Sequence, residues 1–130
     1  MNAQVKGTFA IRSSPNPNRD LGDGFVIGHL TFHKEFQGPL TGTSVVEMLG
    51  MMFRDKGSGG YVALERFQGA LGERSGTFAL QHSSIMTRGT AVQHIVVVPD
   101  SGTDGLAGLV GSMSIDVVEG KHHYTFDYVI

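Results

Sequence analysis

Residues 60–82 read GYVALERFQGALGERSGTFALQH. Two runs rich in aromatic and aliphatic side chains, 61–68 and 77–82, flank a turn segment holding Gly69, Gly72, Glu73, Arg74, Ser75 and Gly76. Glycine reaches positive φ without steric cost, and aromatic and β-branched side chains suit a pleated surface, so the stretch predicts a β-hairpin. Glu65 and Arg66 stand side by side in its first strand. Successive strand residues face opposite ways, so one of the two is expected to face the interior.

Upstream, residues 55–60 (DKGSGG) form a turn into this hairpin. Residues 40–53 carry conflicting signals. Ser44-x-x-Glu47 imitates a helical capping box, and Val45, Met48, Leu49 and Met52 would line one helix face. Gly50 in the middle and the β-branched Thr43, Val45 and Val46 favour a strand instead. Residues 25–36 set Val26, Leu30, Phe32 and Phe36 on one face against His29, Thr31, His33 and Glu35 on the other, until Gln37-Gly38-Pro39 breaks the pattern. Val5, Gly7, Phe9 and Ile11 alternate with Lys6, Thr8, Ala10 and Arg12 in a first, half-buried strand. Between these two, residues 13–24 (SSPNPNRDLGDG) have no periodicity and predict a surface loop.

Downstream, residues 83–89 predict a loop, and residues 90–98 a strand apolar on both faces. Val92, Val96 and Val98 oppose Ala91, Ile95 and Val97, interrupted by Gln93 and His94. Such a strand is expected to be covered on both sides, by packing or by a second subunit. After a turn at 99–105, residues 106–118 form a strand that Gly105, Gly108 and Gly111 would bend at a barrel corner. Glu119-Gly120-Lys121 is a hairpin turn into an alternating last strand, 123–130. Eight strands with no long helix predict an all-β fold, a closed antiparallel eight-stranded β-barrel formed by residues 1–130 as one domain. A two-sheet sandwich is the alternative. Eight strands enclose a space that side chains fill or one small ligand occupies.

The runs ALERFQGALGERSGTFALQH and VVPDSGTDGLAGLVGSMSI, with the ending YTFDYVI, resemble a bacterial family catalogued as a domain of unknown function, numbered 3224. The resemblance extends from about Phe32 to the C-terminus. It implies a small barrel similar in shape to allene oxide cyclase and the lipocalins, and it implies no activity and no catalytic residues. Ala63 and Glu73 stand where the family pattern leads one to expect glycine.

The 130-residue chain is long enough for a hydrophobic core without metals or disulfides, and its 19 glycines suit tight turns. With no cysteine there is no disulfide scaffold and no thiolate metal site. A net charge of −2 provides no general attraction to nucleic acid or an anionic membrane, so neither is an expected partner. No signal peptide and no membrane helix is legible, and a soluble cytoplasmic protein is the expectation. No G-x-S-x-G elbow occurs, and GSGG at 57–60 lacks the Lys-Ser/Thr of a phosphate loop.

Glu65 shares a strand face with Tyr61, Ala63 and Phe67, an apolar setting in which a carboxylate is either an acid/base or ligand-anchoring group or one half of a structural ion pair. His82 and His94 follow glutamines within apolar strands and are the polar side chains expected to accompany it. No metal site is expected: on a strand His29 and His33 stand about 13 Å apart, too far to share an ion. No cofactor is expected either. The leading expectation is a small apolar ligand in the barrel interior, contacted by Met48, Tyr61, Phe67 and Phe78 and anchored by Glu65 with His82 or His94. Two alternatives stand beside it: a cyclase or isomerase using the buried carboxylate, and a ligand-free barrel whose apolar outer face makes a homo-oligomer, a dimer being favoured.

Overall fold

A computed structural model describes residues 2–130. Eight strands follow in chain order: β1 (Asn2–Asp20), β2 (Val26–Gln37), β3 (Leu40–Phe53), β4 (Ser58–Leu71), β5 (Arg74–Thr87), β6 (Thr90–Val97), β7 (Val110–Val118) and β8 (Lys121–Val129). Each pairs antiparallel with its sequence neighbours, and β8 returns to β1, closing the barrel. No helix among the described residues is long and apolar enough to cross a membrane.

The contested segment, residues 40–53, is strand throughout, and the residues that imitate a capping box have other uses. Ser44 points inward to Glu65, while Glu47 points outward and accepts hydrogen bonds from Thr31 and His29. Alternation of this kind is what a strand imposes and a helix does not.

Several boundaries differ from expectation. The stretch expected as a loop at residues 13–24 is mostly strand: β1 runs to Asp20 through Pro15 and Pro17, with a bulge between Asn16 and Arg19. Proline is tolerated there because β1 pairs with β8 only as far as Phe9, so its later residues form an edge that owes no ladder bond on that side. Residues 83–87 likewise continue β5, and the turn is only Arg88-Gly89, both at positive φ. The strand expected from Leu106 begins at Val110, because Asp104–Leu106 forms a 3-10 turn. The glycine bend lies elsewhere: Gly42, Gly69 and Gly76 sit side by side across β3, β4 and β5. A Cβ on Gly69 would stand 2.1 Å from the Thr41 carbonyl oxygen, so only glycine allows the two backbones to approach so closely.

The central hairpin turns on two residues, Gly72 and Glu73, and only Gly72 has positive φ (+61°). A turn with glycine at its first central position accepts an ordinary residue at the second, so Glu73 causes no strain.

The core fills one end of the barrel. Phe36, Phe67, Phe78, Phe126 and Tyr124 are fully buried there, in ring contacts 5.0 to 5.9 Å between centroids. Leu106 and Leu109 from the β6–β7 connection plug that end. Tyr124 Oη accepts a 3.0 Å hydrogen bond from the Leu40 amide, and Gly7 leaves room for the ring. Burial raises the Tyr124 pKa, and the Leu40 bond only partly offsets it.

Candidate functional site

Above this plug four successive strands bring buried polar side chains together: Lys34 of β2, Ser44 of β3, Glu65 of β4 and His82 of β5. Glu65 is their hub. Its Oε1 accepts hydrogen bonds from Lys34 Nζ (3.1 Å) and His82 Nε2 (2.7 Å), and its Oε2 accepts one from Ser44 Oγ (2.5 Å). Lys34 Nζ also stands 4.5 Å from the centre of the Phe9 ring, where the π face favours a cation.

Burial pushes the Glu65 pKa up, but the His82 hydrogen bond, the Lys34 charge and the Ser44 hydrogen bond together outweigh it and lower it to about 2. The carboxylate is therefore ionised at neutral pH. Because an ionised carboxylate can only accept, the proton of the His82 bond resides on Nε2, and the ring is held in one orientation. The neighbouring Arg66 faces outward and is exposed, so alternation separates the adjacent charges completely.

The opposite end of the barrel is open. A cavity of about 620 Å³ lies there, walled by β1 to β6. Leu30, Met48, Met51, Met52, Met86 and Tyr61 form much of its lining, with Ser84, Gln93, Asn18 and Arg54 as the polar members. Gly28, Gly50 and Gly59 in the same walls carry no side chain to fill it. β7 and β8 contribute nothing to the lining. β8 pairs with β1 only as far as Phe9, and β7 pairs with β6 only through Ile95–Met113 and Val96–Ser112. Further up this seam, the Gln93 side chain accepts a 3.4 Å bond from the Ile115 amide.

The model of a family described as a protein of unknown function, DUF3224, matches residues 5–128. The chain belongs to the DUF3224 family. A crystal structure of a DUF3224 protein of unknown function from Shewanella oneidensis is 39% identical, covers 100% of this chain and 98% of its own, and superposes with a TM-score of 0.93. No curated protein matches.

In this DUF3224 barrel the residues singled out from sequence fall into four places. Glu65 and His82 meet in the buried cluster. Met48 and Tyr61 line the open cavity. Phe67 and Phe78 lie in the filled end, their rings tilted against each other with centroids 5.0 Å apart, and do not reach the cavity. His94 points outward and is exposed, so it joins neither group. The glutamine–histidine pairs were split by alternation: β5 turns His82 inward, whereas β6 turns Gln93 inward and His94 out.

Lys34 and Ser44 were not anticipated. For Lys34 a signal was present, since it shares the apolar face of Leu30, Phe32 and Phe36 in β2. A cation in such a row implies a buried anion opposite. The serine carries no comparable mark.

Proposed function

We propose that this DUF3224 protein binds a small apolar molecule in the open half of its barrel. The observation that carries the reading is the cavity of about 620 Å³ whose wall combines methionines with glycines. Its size lies within the range of small-molecule sites, and flexible thioether side chains adapt to ligands of varied shape. The buried cluster beneath acts as a rigid floor. A carboxylate held at about 2 is poorly matched to proton transfer near neutral pH, so Glu65 suits the fixing of charge and geometry better than acid–base catalysis. Titration with a neutral naphthylamine dye should show saturable binding with one site per chain, and Met48→Trp should abolish it by filling the cavity. No saturable binding to the unaltered protein overturns the reading.

A second reading concerns the outer wall. Leu49, Val62, Leu64, Ile85, Val92 and Val96 all point outward from β3 to β6 and are 45 to 64% exposed. Contiguous apolar faces of this kind mark interaction surfaces, and a two-fold dimer would cover the patch with its own copy. Sedimentation at micromolar concentration should give a dimer that Leu64→Glu converts to monomer; a monomeric unaltered protein removes the proposal.

A further inference from the structure

The cavity lining has one charged side chain. Arg54, in the turn after β3, stands at its rim, and the lining contains no acidic residue. Among the described residues Arg54 forms no ion pair, not even with Asp55 beside it in the chain: the three ion pairs present join His29 to Glu47, and Lys34 and His82 to Glu65. The interior carboxylate is thus already satisfied, and the rim cation is not. Besides Arg54, the polar lining residues are Asn18, Tyr61, Ser84 and Gln93, with the Gln93 amide 3.5 Å from the Tyr61 hydroxyl.

This inference rests on the cavity reading given above and names its ligand class. We infer that the occupant is an amphiphile with a carboxylate head, its apolar tail among Leu30, Met48 and Met86 and its head on Arg54. The guanidinium fork matches a carboxylate in two parallel hydrogen bonds, and a partly open rim lets the charged head keep contact with water while the tail is buried. A head held only by a hydrophobic wall would show no such preference.

Displacement of the neutral dye by decanoate and by decanol, which share a tail and differ in head, isolates the contribution of Arg54. The unaltered protein should bind decanoate about ten-fold more tightly than decanol, consistent with a hydrogen bond to a charged group. Arg54→Gln should bring the ratio of the two affinities close to one, Arg54→Lys should restore part of it, and added salt should reduce it. Equal affinities in the unaltered protein, or a preference for decanoate that survives Arg54→Gln, overturns the carboxylate inference and leaves the cavity reading intact. Failure of both compounds and of the dye to bind overturns both.

Discussion

The two ends of the barrel use one continuous wall in opposite ways. At the filled end all eight strands are present, and Phe36, Phe67, Phe78 and Phe126 pack across the axis. At the open end the lining comes from β1 to β6 alone, and methionines and glycines make up much of it. Large rigid rings interlock at one end and specify a single packing; small and flexible groups at the other leave volume unfilled. The Lys34–Ser44–Glu65–His82 cluster lies between the two ends. A charged layer that is fully hydrogen-bonded withstands burial, yet it does not collapse into a neighbouring void as an aliphatic core would.

Substitutions that delete bulk should separate the two ends most sharply. Phe67→Ala, in the filled end, should cost about 4 kcal/mol of stability in urea unfolding, because a fully buried ring leaves a cavity that the wall cannot close. Equal costs for Phe67→Ala and Met48→Ala would erase the distinction between the ends.

Next in size is the cluster at the boundary. Glu65→Gln leaves Lys34 buried without its counter-charge and should cost about 3 kcal/mol at neutral pH. The pH dependence has a definite sign. The folded-state pKa of Glu65 is lowered from 4.5 to about 2, so its contribution is complete above 4.5 and lost as the pH falls towards 2. The stability gap between the unaltered protein and Glu65→Gln, measured by urea unfolding across that range, should therefore narrow on acidification, by about 3 kcal/mol. A gap that stays constant with pH would show that folding leaves the Glu65 pKa unshifted, and one that widens on acidification would show that the carboxyl is protonated in the fold.

Met48→Ala should cost only about 1 kcal/mol, because the methionine already borders open space and its loss enlarges a void rather than creating one. The smallest expected effect concerns local opening. Amides near the two-pair β6–β7 seam should exchange with deuterium faster than those of the β4–β5 ladder, which is paired from Gly59–Met86 to Leu71–Arg74. Uniform protection around the barrel would mean that the seam is no weaker than the other ladders.

Alternation made most of the wall legible in advance. That Tyr61, Ala63, Glu65 and Phe67 share one face, and Leu30, Phe32 and Phe36 another in β2, follows from a period of two, and the antiparallel order follows from the short turns; which of Glu65 and Arg66 faces inward does not. Strand ends were harder to read. In β1 the prolines suggest a loop until it is known that this part of the strand has a neighbour on one side only. At Asp104–Leu106 the chain leaves the sheet to place Leu106 over the barrel end, a contact between residues distant in sequence.

The amino-acid sequence by itself determined a run of eight strands and the presence of an acidic side chain among apolar neighbours, because both depend on local periodicity. Only the tertiary structure decided that the sheet closes on itself, that Lys34, Ser44 and His82 converge on Glu65, that Phe67 and Phe78 belong to the plug, and that the space lies at the end lined by β1 to β6 alone. Those facts depend on register and strand length around a closed circle. Neighbouring residues in one strand do not encode which level of the barrel they will share with a residue on the next.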